Sequence, residues 1–241
     1  MNGQITLPQL GADPQSPFPP THQALDSPNG LLAWGGDLEP ERLLAAYRSG
    51  IFPWYSEGQP ILWWSPVPRC VIQPGRVYLS KRTRRRYNSG RYTLSLNRAF
   101  EAVIEGCAEP RDADEGTWIT PAMVAAYTAL HHSGHAHSLE VWADDELAGG
   151  IYGLAIGGVF FGESMFSRRT DASKIALVAL CRLLDRHGYG LLDCQVENTH
   201  LLRMGAERMT RDVFEAELQR LLNTAVDDTF WSVSSLEQER W

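Results

Sequence analysis

A carboxylate and an amide, Asp193 and Gln195, interrupt the otherwise apolar run Leu191-Leu192-Asp193-Cys194-Gln195-Val196. The run follows His187-Gly188-Tyr189-Gly190 and reads as a strand entering a sheet. On a regular strand, residues two apart share a face. Asp193 and Gln195 then point together, and Leu192, Cys194 and Val196 point the other way. Burying an amide without partners costs roughly 2–7 kcal/mol. Two readings compete: a polar pair satisfied by backbone at a strand end or sheet edge, and a catalytic pair in a cleft.

Other residue types also carry chemistry. Lys81, Arg82, Arg84, Arg85, Arg86 and Arg91 fall within eleven residues that contain no acid. Guanidinium groups suit bidentate phosphate contacts, although a solvated helix face has the same composition. The net charge of −7 over 241 residues argues against a generally basic nucleic-acid binder, so any such contact is local. His135 and His137 supply two metal ligands at most and are assigned to a turn and a strand start. Cys70, Cys107, Cys181 and Cys194 lack CxxC spacing, which speaks against zinc and against a disulfide framework. The eight tryptophans read either as core or as stacking platforms for bases. No apolar run approaches the ~18 residues of a membrane span. Residues 1–30, rich in Pro, Gln and Ser, lack the order of a signal peptide. A cytoplasmic protein with no membrane partner is expected.

These residues need elements to hold them. From Ser138 the pattern runs strand (138–142), turn (143–146), strand (147–155), strand (158–166), helix (171–187), and then the strand with Asp193. Earlier, Pro40 opens a helix through Tyr47, Ser80 caps a helix carrying the arginines, and 92–97 alternates as a strand. A helix over 98–108 and another from Thr120-Pro121 through Met123, Tyr127 and Leu130 follow. Val77-Tyr78-Leu79 reads as a strand and 109–115 as an acidic loop. Helices over 198–204 and 210–222 precede a tail reaching Trp241. The expected class is α+β, an α/β sandwich. A smaller aromatic-rich N-terminal α+β domain spans 1–75 and a larger domain spans 76–241.

The order strand, turn, strand, strand, helix, strand is also that of the acetyltransferase-like (GNAT-like) core, where two neighbouring strands splay and open a cleft. Acetyltransferases of that kind grip pyrophosphate with glycine-bearing backbone between the central strand and its helix. Residues 165–173 contain no glycine here, and bulky side chains hinder close backbone approach. An acyl donor other than coenzyme A is wanted. The resemblance then becomes specific. It is carried by Trp34-Gly35-Gly36-Asp37-Leu38, Gly50-Ile51-Phe52-Pro53-Trp54, Ile61-Leu62-Trp63-Trp64-Ser65-Pro66 and Glu115-Gly116-Thr117-Trp118-Ile119-Thr120. Gly134-His135-Ala136-His137-Ser138, Phe161-Gly162-Glu163-Ser164-Met165-Phe166-Ser167 and Asp193-Cys194-Gln195-Val196 continue it. In this order, from about residue 26 to about 215, the chain resembles the bacterial leucyl/phenylalanyl-tRNA–protein transferases. Val67, Met209-Thr210 and Arg86 depart from that family's usual Asp, Ile-Pro and aromatic.

The resemblance implies transfer of Leu or Phe, with Met a further donor, from aminoacyl-tRNA to the α-amino group of proteins beginning with Arg or Lys. That marks them for degradation. No cofactor and no metal are implied, because an aminoacyl ester is already activated. The attacking α-amine, with an ordinary pKa of about 7.7–8.0, is partly neutral at cytoplasmic pH. In this light Asp193 polarises a hydrogen-bond chain and fixes Gln195, whose carbonyl oxygen accepts from the amine and aims its lone pair. Glu163, near the end of the adjacent strand, helps receive the cationic acceptor; alone, it reads equally as a solvent-facing strand end. Met165, Leu177, Leu192, Cys194 and Ile151 form an apolar pocket for the donor side chain, with Cys194 a wall and not a nucleophile. Because Leu192 and Cys194 face away from the polar pair on a regular strand, donor side chain and acceptor amine are expected from different sides. Trp54 and Trp118 stack on the terminal adenosine, and Lys81, Arg82, Arg84 and Arg85 contact tRNA phosphates. The implied partners are Leu-tRNA, Phe-tRNA and proteins with N-terminal Arg or Lys, and a monomer is expected. Two other readings stay open at this point: an acyl-CoA-dependent N-acetyltransferase, and a non-enzymatic adaptor for tRNA or degrons in which Asp193 and Gln195 are structural.

Overall fold

The computed structural model describes residues 7–110, 117–232, 236 and 241. Most of the acidic loop expected at 109–115, with Glu115 and Gly116 of the Glu115–Thr120 motif, lies outside the described residues. The N-terminal part runs β1 (Gln9–Leu10), β2 (Leu31–Gly35), α1 (Pro40–Arg48), β3 (Phe52–Pro53) and β4 (Leu62–Trp64). Its strands make a sheet of order β1-β2-β4-β3, parallel between β1 and β2 and antiparallel elsewhere. The Trp34–Leu38 motif makes the corner after β2. Gly36 takes a φ of 72°, a conformation glycine adopts without strain. The corner brings both Asp37 oxygens to 3.1 Å from the buried Arg42 of α1. Buried Trp63 donates its indole N–H to Gly35 O at 2.9 Å, and Trp64 donates to Trp54 O at 2.7 Å. Much of the aromatic texture in this part of the sequence thus ties loops to the small sheet.

The chain continues through β5 (Arg69–Ile72), α2 (Lys81–Arg86), β6 (Thr93–Leu96), α3 (Phe100–Ala108), α4 (Pro121–His132), β7 (Ala136–Ala143) and β8 (Glu146–Ile156). Then come β9 (Val159–Ser167), α5 (Ala172–Arg186), β10 (Leu191–Gln195), α6 (Thr199–Arg203), β11 (Glu207–Met209) and α7 (Arg211–Leu222). The seven strands form one sheet of order β11-β5-β10-β9-β8-β7-β6. β9 and β10 pair in parallel and the other neighbours antiparallel. Strand alternation feeds two cores. Tyr152, Leu154, Val159 and Phe161 pack with α1, α3, α4 and the small sheet. Ile151 and Phe160 pack with Ile175, Leu180 and Leu184 of α5 on the other face. β5 precedes the division at 75/76 expected from the sequence, yet its strand partners are β10 and β11.

Two local readings need correction. Val77-Tyr78-Leu79 is not a strand: Tyr78 N–H donates to Met204 O at 2.8 Å and its side chain is exposed. The segment is held at the end of α6, not in a ladder. Conversely, β11 is a strand that the sequence pattern does not announce, because Glu207-Arg208-Met209 shows no apolar alternation.

β9 and β10 stay paired from Leu191↔Val159 to Asp193↔Phe161. β9 then follows β8 as far as Ser167↔Gly149, whereas β10 leaves with β5. The gap opens a cleft beside residues 162–167. This mixed α+β architecture with its splayed parallel pair agrees with the acetyltransferase-like expectation.

Closure of β8 on β9 depends on Gly153, which sits at a register shift opposite Gly162. A Cβ there would lie 2.0 Å from Phe161 O. Gly153→Ala is therefore expected to lower the urea midpoint by an amount equivalent to about 1–3 kcal/mol or more. Gly11→Ala, with nothing within 4 Å of the added Cβ, is expected to cost less than about 0.5 kcal/mol. Equal midpoints for the two variants would contradict this account of the sheet.

Candidate active site

Glu163 lies on β9 just past the point where β9 and β10 part. Three donors converge on its carboxylate: Tyr47 of α1 at 2.7 Å, Tyr127 of α4 at 2.9 Å, and Gln195 Nε2 of β10 at 2.8 Å. The two tyrosine oxygens also lie within hydrogen-bond reach of each other; with one proton apiece, all three contacts are made together only when Glu163 itself carries a proton. Both tyrosines are buried, and desolvation raises their hydroxyls well above the phenol range, so they remain donors. Burial also raises the Glu163 carboxyl to about 7, against hydrogen bonds that favour its ionised form. An ionised carboxylate only accepts. It therefore captures the NH₂ end of Gln195 and leaves the amide oxygen with no hydrogen-bond partner among the described residues.

Asp193 points elsewhere. Its carboxylate accepts from Arg69 Nε at 2.9 Å, Arg69 Nη2 at 2.7 Å and the backbone N–H of Gln195 at 2.9 Å. Arg69 also donates to Gly50 O at 3.0 Å and lies over the rings of Phe52 and Phe214, at 5.0 and 4.6 Å. Asp193 is fully buried and lies outside the cavity lining. Asp193 and Gln195 meet different surroundings, the one buried against Arg69 and the other lining the cavity, and β10 is not regular at its end. Its register against β5 shifts between Asp193 and Gln195, and Gln195 takes a left-handed φ of 58°. The bulge sends Asp193 into the protein and Gln195 into the cleft. Glu163, not Asp193, holds the Gln195 side chain; Asp193 holds its backbone. A left-handed non-glycine residue costs on the order of 1–3 kcal/mol, which the charge-assisted bond from Asp193 helps to offset.

A cavity of about 1100 Å³ opens at this point. Trp54, Trp118, Ile151, Met165, Leu177, Leu192 and Cys194 line it together with Glu163 and Gln195. Leu192 and Cys194 share this cavity with Gln195; they pack with the core on the α5 face, whereas Glu163, which holds Gln195, is bonded by Tyr47 and Tyr127 of the other core. The neighbouring Cys70 and burial hold the Cys194 thiol well above the usual thiol range. It is a poor nucleophile. Trp54 is 41% exposed and tilts against Trp64 with ring centroids 5.5 Å apart. Trp118 is half-buried.

Ser80 caps α2 by accepting from Thr83 N–H at 3.1 Å. Lys81, Arg82, Arg84 and Arg85 are exposed and have no ion-pair partner among the described residues, while Arg86 pairs with Asp171. Arg82, Arg85, Arg86, Ser89 and Arg91 surround a second hollow of about 320 Å³. In the glycine-free loop, the N–H groups of Arg168 and Arg169 both donate to Ala148 O, at 2.8 and 3.1 Å. They are not free to cradle a pyrophosphate. His137 stacks on Trp231 at 4.2 Å and bonds Asn97, and burial takes its imidazole down to about 3. It is a neutral packing residue.

Three further residues build the site without being marked as such by the sequence pattern: Arg69, Tyr47 and Tyr127. The two tyrosines occupy apolar helix positions, where a hydroxyl leaves no trace in the periodicity. Arg69 does leave a signal: a lone charge at the start of the apolar Cys70-Val71-Ile72, which demands a buried counter-charge.

The sequence model described as "Leucyl/phenylalanyl-tRNA protein transferase" matches residues 71–219, and that of its N-terminal domain matches residues 36–67. The leucyl/phenylalanyl-tRNA--protein transferase of Alkalilimnicola ehrlichii is 56% identical over 211 residues, covering 87% of this chain and 82% of its own length. That of Nitrosomonas eutropha is 53% identical over 216 residues, covering 90% and 92%. Among solved structures, a GCN5-related N-acetyltransferase from Kribbella flavida aligns with a TM-score of 0.39 and 14% identity, over 71% of this chain and 61% of that one. At that score the likeness carries no weight. The sequence matches cover both the Glu163–Gln195 cleft and the N-terminal aromatic segments, and on them the chain belongs to the leucyl/phenylalanyl-tRNA protein transferase family.

Proposed function

We propose that this aminoacyltransferase moves Leu, Phe or Met from aminoacyl-tRNA to the α-amino group of proteins beginning with Arg or Lys, in the cytoplasm, and so marks them for degradation. The observation that supports the chemistry best is the orientation of Gln195. Its NH₂ is bound by Glu163, so its oxygen is the end offered to the cavity. That oxygen accepts from the incoming amine and aims the nitrogen lone pair at the ester carbonyl. The C–N bond forms, the C–O bond to the ribose breaks, and the proton lost by the amine ends on the ribose oxygen. Positioning of this kind is worth up to ~7–11 kcal/mol in ideal cases. Glu163 fixes the amide and supplies negative charge for the cationic acceptor. Asp193 is a positioning residue acting through the Gln195 backbone. Trp54 and Trp118 grip the terminal adenosine, and Met165, Leu177, Leu192, Cys194 and Ile151 surround the donor side chain. The engaged backbone N–H groups of residues 168–169 disfavour coenzyme A as the donor.

Labelled Leu-tRNA and a peptide starting with Arg test the assignment. Gln195→Ala is expected to lower kcat by about 10²-fold or more, the scale of general positioning losses, with the fold intact. Wild-type rates in folded Gln195→Ala would sink the role given to that amide.

The ion pair gives a second test. Arg69→Met leaves Asp193 buried and unpaired and is expected to cost about 3–5 kcal/mol. The double variant Arg69→Met/Asp193→Leu is expected to regain most of that stability but little activity, because the Gln195 N–H has lost its acceptor. Full transfer by the double variant would reduce Asp193 to packing.

Glu163 makes stability pH-dependent with a definite sign. Its carboxyl in the fold, at about 7, lies above the ordinary 4.5. Its stabilising contribution is therefore complete below about 4.5 and lost as pH rises to about 7, roughly 3 kcal/mol in all. Glu163→Gln is expected to flatten this loss in urea titrations run at a series of pH values. In the wild type, kcat/KM is expected to rise with pH through about 7, a limb that should vanish in Glu163→Gln and leave the amine's own ionisation.

The basic face is tested by salt. Arg82→Glu/Arg85→Glu is expected to raise the KM for Leu-tRNA. It should also flatten the fall of log(kcat/KM) with log[salt] by about one for each phosphate no longer neutralised. An unchanged slope would remove these arginines from the tRNA-binding face.

A further inference from the structure

The segment that carries the arginines is weakly built. α2 has six residues, short enough that its own hydrogen bonds leave it marginal in water. It runs into a wide turn, Tyr87–Arg91, where Gly90 takes a φ of 77°. Arg82, Arg85, Arg86 and Arg91 surround one hollow from both sides of that turn. Their mutual repulsion favours opening it. Arg86 is tied to Asp171, and Tyr92 OH donates to Thr170 O at 2.9 Å. The middle of the turn is fastened by a residue more than a hundred positions away. Trp241 stacks on Tyr87 with ring centroids 3.8 Å apart and planes 19° apart. Its backbone N–H donates to Asn88 Oδ1 at 2.9 Å, and its backbone oxygen accepts from Asn88 Nδ2 at 2.9 Å. Arg182 of α5 lies over the same indole at 5.9 Å.

We propose that Trp241 is a positioning residue for tRNA: by clamping Tyr87 and Asn88 it holds Arg82, Arg85 and Arg91 around a hollow that takes a backbone phosphate. The inference rests on the reading of this face as the tRNA contact. Trp241 itself need touch no nucleotide. It removes the freedom of the turn before binding, so less ordering remains to be done when the phosphate arrives. The two-point pairing with Asn88 makes the clamp directional, because a side-chain amide that accepts from and donates to one residue's backbone fixes the turn's orientation as well as its distance.

The test compares Trp241→Ala, Trp241→Phe, Asn88→Ala, the double variant Asn88→Ala/Trp241→Ala, and Arg85→Glu in the full chain. Each is checked for folding by circular dichroism and assayed with Leu-tRNA and an Arg-initiated peptide across a salt titration. Trp241→Ala and Asn88→Ala are each expected to raise the KM for Leu-tRNA about three- to tenfold, the scale of re-immobilising one long side chain. The salt slope should flatten, while kcat and the KM for the peptide stay unchanged. Trp241→Phe should restore most of the loss, and the double variant should be no worse than the single ones. An unchanged KM for Leu-tRNA in folded Trp241→Ala, with Arg85→Glu impaired, overturns the clamp and leaves the basic-face reading standing. Wild-type behaviour in Arg85→Glu as well overturns both. A loss of kcat without a change in KM or salt slope also overturns the proposal, since it would place Trp241 in general stability.

Discussion

The arrangement of the cleft depends on one buried ion pair. Arg69 and Asp193 have side chains 2% and 0% exposed, and each would cost several kcal/mol to strip of water alone. Their geometry is what makes the pair tolerable. Two parallel N–H···O bonds join them, Gly50 O takes a third guanidinium proton, two ring faces cover the cation, and Gln195 N–H takes a remaining lone pair. The pair therefore fastens the Gly50–Trp54 segment, β5, α7 and the end of β10 at one point. A hydrophobic pair of similar size could fill the volume, but it would offer nothing to the Gln195 backbone.

From that anchor follows a separation of roles between the two acids. Asp193 is fully paired and turned inward, and Glu163 is half-buried and lacks a cationic partner among the described residues. Glu163 instead accepts hydrogen bonds from two phenols and an amide. The cost of holding such a carboxyl is visible in its raised ionisation, and the left-handed Gln195 adds strain at the same spot. Both are the kind of local sacrifice that a binding or reacting site tolerates when the surrounding sheet over-determines it. Two tyrosines from α1 and α4 reach the carboxylate together, so the small N-terminal sheet's helix and the larger sheet's helix both orient one side chain.

The cavity and the basic hollow solve different problems. The cavity is apolar with a few convergent polar groups, which suits a small side chain and a reacting ester. The hollow is a cluster of cations on a short, tied-down turn, which suits a polyanion met without sequence reading. The overall negative charge of the chain keeps such attraction local.

Much was determined by the sequence alone. Periodicity placed the hairpin, β9, α5 and β10, because long elements with one buried face must repeat at 2 or 3.6 residues. The ordered motifs identified the relatives, and the absence of glycine from 165–173 already spoke against a pyrophosphate grip. What the sequence could not reveal was which partners the two polar side chains of β10 meet. A period-2 reading assumes an unbroken ladder, and the bulge that breaks it is accompanied by Arg69, 124 residues earlier in the chain. Tyr47 and Tyr127 were hidden for a related reason: a phenol on an apolar face packs like any ring, and its hydroxyl acquires meaning only from Glu163. The tail was silent for the same cause, since a tryptophan has no visible role until its stacking partner is known. Local pattern determined where strands and helices lie. Only the tertiary structure decided which acid faces the cleft, because that choice is made by long-range partners and by the desolvation of charge.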